Sequence, residues 1–138
     1  GYVASVDEAF KKYLSKGMSC YVPRKTYSPK ESIEMIKNAG GLAILAHPVY
    51  ITEDYGKLYS LLKQLKEYGL DGTECLYNCY SEEFSKMCFD ICDKLGLVKS
   101  GGSDFHGGNK PDVELGKVSG GYVPYEFLLN MKEQRGLM

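Results

Sequence analysis

Long apolar runs are missing from this sequence. The longest are short, such as Leu42 to Ala46, far below the roughly 20 residues a membrane helix needs. No membrane partner is therefore expected. A one-sided charge is missing as well: 17 basic against 18 acidic residues leave a formal net charge of -1. That balance argues against a broad basic surface for duplex nucleic acid, but leaves room for a small polar cleft that takes one phosphate group. The opening Gly1-Tyr2-Val3-Ala4-Ser5 has neither the basic start nor the apolar middle of a secretory signal. Cysteines number five, an odd count that cannot pair fully within one chain. Free thiols in a reducing compartment follow, and with them a cytoplasmic location. Histidine is rarer still, with two residues, His47 and His106.

What is present reads as one domain. The 138 residues are enough to bury a real core, and helix signals recur with explicit starts and stops. Ser5 and Glu8 form a capping-box pair for a helix to about Ser15, with Val6, Phe10, Tyr13 and Leu14 on one face. Ser28, Pro29 and Glu31 open a second helix that Gly40 ends. A third carries Leu58, Leu61, Leu62 and Leu65 and stops at Gly69. A fourth begins after Ser81, with Phe84, Met87, Cys88, Ile91, Cys92 and Leu95 as its stripe and Gly96 as its stop. Pro124 opens a last one containing Phe127, Leu128 and Met131.

Between these helices lie short strand-like runs: Gly41 to Ala46, Asp71 to Leu76, Leu97 to Ser100, and a weaker Leu115 to Val118. Helix and strand alternate without repeats or an evident linker. The pattern predicts an α/β fold with a mainly parallel sheet and helices outside it. Ligands in such folds collect at the C-terminal ends of the strands.

Both histidines fall just past such an end. His47 follows Leu42-Ala43-Ile44-Leu45-Ala46, and His106 lies in Gly101-Gly102-Ser103-Asp104-Phe105-His106-Gly107-Gly108. An Asp-x-His pair in a glycine-flanked turn lets two side chains point into one space. Imidazole with carboxylate suits zinc, manganese or iron better than calcium. A hydrogen-bonded structural histidine and a turn-forming aspartate are the blander readings of the same residues.

Ala46-His47-Pro48 after an apolar strand, then Gly-Ser-Asp-Phe-His-Gly at 102–107, resembles the PHP (polymerase and histidinol phosphatase) domain, closest to the TrpH-like metal-dependent phosphoesterases. Tyr21-Val22-Pro23, Ala39-Gly40-Gly41 and Gly69-Leu70-Asp71-Gly72-Thr73-Glu74 resemble further family stretches. The likeness runs from about Ala9 to about Leu115. It implies part of a distorted (β/α)7 barrel with divalent ions at the strand C-termini, and His47, Asp104 and His106 as metal ligands. It also implies hydrolysis of phosphate esters of nucleotides or short oligonucleotides by metal-activated water.

The family's opening half, with a His-x-His pair, has no counterpart here. Gly1 to Met138 would then be the C-terminal half of the domain, with too few ligands for a multinuclear site. The chain alone is expected to be inactive, its remnant site holding one weakly bound ion or none. Glu74 is a candidate for orienting a ligand. Ser103 and Lys25 are candidates for meeting substrate, with Arg24 beside Lys25 in a polar connection that also suits solvated surface cations.

Two other readings stand beside this one. The half-barrel could be a non-catalytic binding or interaction module that holds one weak metal ion or none. Alternatively, Cys75, Cys79, Cys88 and Cys92 could surround one zinc, although Cys88 and Cys92 lie on an apolar helix stripe. The tyrosines, 12 in all, are spread as packing residues and form no stacking platform for single strands. An opened barrel also exposes strand edges, so a homodimer or swapped assembly is expected.

Overall fold

Ser28 starts the first long helix with a reciprocal cap. Its hydroxyl accepts from the Glu31 amide at 3.2 Å, and the Glu31 carboxylate accepts from the Ser28 amide at 2.7 Å. Two further helices are capped at one side: Asp54 accepts from the Lys57 amide at 2.8 Å, and Ser81 from the Phe84 amide at 3.1 Å. These local signals fix helices α2 (Pro29–Asn38), α3 (Tyr55–Glu67) and α4 (Glu82–Leu95), and α5 spans Tyr125–Gln134. Helix α1 (Val6–Ala9) continues as a wider π-type turn over Phe10–Leu14.

The structure is a computed structural model that describes residues 1–137. Met138, the last residue of the expected single domain, lies outside the described residues.

Three parallel strands make the main sheet in the order β1-β2-β3: Ile44–Leu45, Gly72–Tyr77 and Val98–Gly102. Ile44 pairs with Gly72, and Gly72 with Val98. The β2–β3 register slips between Glu74 and Leu76, so Cys75 is an extra residue on β2, a bulge. At the opposite end of the sheet, Asp71 accepts the Ala43 amide at 2.7 Å and the Lys37 ammonium at 2.6 Å. That clamp ties α2 and the start of β1 to the start of β2.

The core lies between the sheet and the helices α3 and α4. Leu58, Leu62, Cys75, Cys88, Ile91 and Cys92 are wholly enclosed there. Helix α5 packs against β3, with Phe127 buried and its ring 6.1 Å from Phe89.

One expectation is corrected. The run at 115–118 does not join the parallel sheet. Lys117–Val118 (β4) pairs antiparallel with Gly121–Tyr122 (β5), because Ser119-Gly120 makes a tight turn with Gly120 at φ 86°. Among the described residues the apolar face of α1 and the π-type turn after it stays uncovered: Val6, Phe10, Tyr13 and Leu14 are all exposed, and no residue before Ile33 is buried. Among the described residues, no helix is long and apolar enough to cross a membrane.

Candidate functional site at the strand ends

His47 sits immediately beyond the end of β1, and Asp104 beyond the end of β3. Among the described residues, these are the two non-glycine residues with positive φ, 51° and 55° respectively. Such left-handed backbone costs a side-chain-bearing residue on the order of 1–3 kcal/mol. It survives where surrounding contacts over-determine it, and such places cluster at functional sites.

The contacts around His47 come from β2 and the turn after it. Glu74 Oε2 accepts the His47 backbone N–H at 2.9 Å and the Tyr80 hydroxyl at 3.1 Å. The same oxygen lies 3.3 Å from His47 Nδ1. That approach lacks hydrogen-bond geometry, and Nδ1 is enclosed without a partner. The ring stands edge-on to Tyr77, centroids 4.7 Å apart at 69°.

Around Asp104 the chain supplies a hydroxyl and a cation. Tyr77 donates its O–H to Asp104 Oδ2 at 3.0 Å, and the Lys110 ammonium pairs with the same oxygen. The Lys110 charge, helped by the Tyr77 hydroxyl, holds the Asp104 carboxyl below the usual carboxylate range. Burial and the facing Asp104 push the Tyr77 hydroxyl upward, and burial beside Glu74 does the same for Tyr80. Both phenols therefore stay protonated and donate.

His106 turns back on its own loop. Its Nδ1 lies 2.6 Å from the Asp104 carbonyl oxygen and 3.4 Å from Oδ1. His47, Asp104 and His106 thus share one end of the sheet without closing on one point. Among the described residues, no three His, Cys, Asp or Glu side chains form a group that could hold an ion. The donor chemistry fits a divalent metal, as do the orphaned Nδ1 and the cation already resting on Asp104. The number of donors amounts to part of a coordination shell.

The secondary candidates divide. Glu74 is at the site, buried and in contact with His47. Ser103 is buried, and its hydroxyl accepts the Gly116 amide at 3.0 Å while Asn78 donates to its carbonyl at 2.7 Å; it secures the loop. Lys25 is not brought to the site: it is exposed, with its ammonium 5.1 Å from the Tyr27 ring centre.

The four-thiolate zinc reading is overturned. Cys75 and Cys92 meet at 3.5 Å inside the core and Cys88 is buried with them, while Cys79 sits exposed beyond the end of β2. Burial pushes the Cys88 thiol up to about 12, the opposite of what a thiolate ligand needs. Tyr77 and Lys110 went unanticipated. Tyr77 follows Glu74 on the same strand, so an ionisable residue at a strand end marked the place, but its role depends on a tertiary contact.

Parallel βα units with histidine and Asp-x-His at the strand ends make an α/β domain, and comparison with known proteins gives its family. No family model matches the chain. A 5'-3' exoribonuclease of Haemophilus influenzae is 33% identical over 106 residues, covering 77% of this chain and 39% of that protein. A 3',5'-nucleoside bisphosphate phosphatase of Chromobacterium violaceum is 29% identical over 117 residues, covering 84% and 41%. Among solved structures, a metal-dependent phosphoesterase of Bifidobacterium adolescentis matches with TM-score 0.64 at 25% identity, over 93% of this chain and 44% of that one. An amidohydrolase from Chromobacterium violaceum, with bound sulfate and no metal, gives 0.63 at 27% identity, over 98% and 46%.

The chain belongs to the PHP family of phosphoesterases, TrpH-like branch. It spans about two-fifths of the length of the curated relatives it matches.

Proposed function

We propose that this chain is the C-terminal half of a PHP phosphoesterase domain and contributes His47, Asp104 and His106 to its metal centre. The observation that carries the reading is the pairing of strain with chemistry: the two non-glycine residues held at positive φ are His47 and Asp104. Divalent manganese, zinc or iron suits these donors. The chemistry such an ion supplies when bound is polarisation of phosphate oxygens and activation of water.

The chain's own residues prepare that centre. Glu74 accepts the His47 backbone N–H and so fixes where the imidazole stands. Asp104 keeps its charge through Lys110 and Tyr77. Lys110, once displaced from Asp104, has a free ammonium beside the site for a substrate phosphate.

The substrate class we infer is a phosphorylated nucleotide or short oligonucleotide, the class named for the exoribonuclease and bisphosphate phosphatase relatives. The five cysteines, all free thiols, suit a reducing compartment such as the cytoplasm. The uncovered β1 edge and the exposed apolar face of α1 support a homodimer or swapped assembly.

The test is phosphate release from a nucleoside 3',5'-bisphosphate with manganese, in a chain completed to the length of the relatives. Loss of activity on changing His47→Ala together with Asp104→Ala is expected; wild-type activity in that double variant contradicts the proposal. A second reading, a non-catalytic module, is favoured by the incomplete donor set. It predicts metal uptake by the completed chain without phosphate release.

A further inference from the structure

We propose that Tyr77 is a positioning residue that holds His47 and Asp104 in one frame, its ring edge-on to the imidazole and its hydroxyl on the carboxylate. This rests on the reading of those two residues as metal ligands. Tyr77 touches both of the strained residues, one beyond β1 and the other beyond β3, although it belongs to neither loop. No other side chain has a ring contact or hydrogen bond to both among the described residues.

The backbone is arranged to put it there. Glu74 and Tyr77 are three residues apart, a spacing that places side chains on opposite faces of a regular strand. Both nevertheless contact His47. The bulge at Cys75 adds one residue between them and resets the alternation. A bulge that re-aims a side chain beside a site is a recurring device of functional sheets. Tyr80 supports the ring from behind, centroids 5.3 Å apart, and is itself fixed by its hydrogen bond to Glu74. Glu74, Tyr77 and Tyr80 thus form one buried brace between the two loops.

A tyrosine serving only the core would pack equally well without its oxygen, so Tyr77→Phe separates the two roles. The variant keeps the ring, its burial and its contact with His47. Two readouts on the whole chain apply: the metal-free amide resonances of Asp104 to Lys110, and manganese affinity by calorimetry.

The expected result is displaced Asp104 and His106 resonances with manganese binding weakened about tenfold, the loss typical of groups that orient a ligand. Unmoved Asp104 resonances, or unchanged affinity where the wild type binds, overturn the positioning role. Displaced resonances in a chain whose wild type takes up no manganese uphold the brace and count against the metal reading instead. A thermal midpoint close to wild type confirms that the variant is folded.

Discussion

An aspartate at positive φ keeps that conformation when its neighbours supply more than the strain costs. At Asp104 the neighbours are Tyr77 and Lys110, both on Oδ2. Asparagine tolerates the left-handed region as aspartate does, so Asp104→Asn should fold normally and lose only the charge. Asp104→Val should destabilise by about 1–3 kcal/mol through the backbone alone, a contrast that urea denaturation of the two variants would expose.

The pH dependence has a definite sign. The folded pKa of Asp104 is depressed, with Lys110 as the first cause. Its ion pair therefore stabilises the fold above the carboxyl's unfolded pKa and is lost as pH falls through the lower folded value. Lys110→Gln should move the Asp104 carboxyl back up towards the ordinary range, read from its side-chain carbon resonance against pH. No movement would mean that the pair does not form in solution. Sequence alone pointed to His47, Asp104, His106, Glu74 and Ser103, because motif and strand-end position are local, and it also pointed to Lys25, which lies away from the site. It gave no sign of the left-handed conformations or of Tyr77 and Lys110, whose parts depend on residues brought together from β1, β2 and the loop after β3.

Helices and strands differ in how far they are written locally. The caps at Ser28, Asp54 and Ser81 lie within three residues of the groups they satisfy, and the helices they open start where the caps place them. Ser81→Ala should cost about 1 kcal/mol, visible as a lower thermal midpoint. Strands depend on distant partners. The apolar run at 41–46 supplies just Ile44–Leu45 to the sheet, and β4 turns back on β5. The bulge at Cys75 is invisible in the sequence because it is a mismatch between two strands. Close strand packing makes a sharper test at Gly72, where an added Cβ would lie 2.3 Å from the Val98 carbonyl oxygen. Gly72→Ala should destabilise by about 1–3 kcal/mol or prevent folding, with Gly107→Ala, in open space but at φ 57°, as a milder comparison.

At the scale of the molecule, the core is one-sided. The sheet, α3 and α4 enclose it, whereas among the described residues no strand pairs beyond β1 and none before Ile33 is buried. Exposed edges and apolar faces of this kind are ordinarily covered. Light scattering at micromolar concentration should accordingly give a dimer; a clean monomer would count against the assembly.

The central claim is that His47 and Asp104 belong to a metal centre, and calorimetry of this chain with manganese and zinc tests it most directly, with His47→Ala as the control. The account predicts weak binding of one ion that His47→Ala abolishes. Binding that survives His47→Ala, or no binding of either ion, would contradict the claim that this chain's part of the coordination shell is enough to hold a metal.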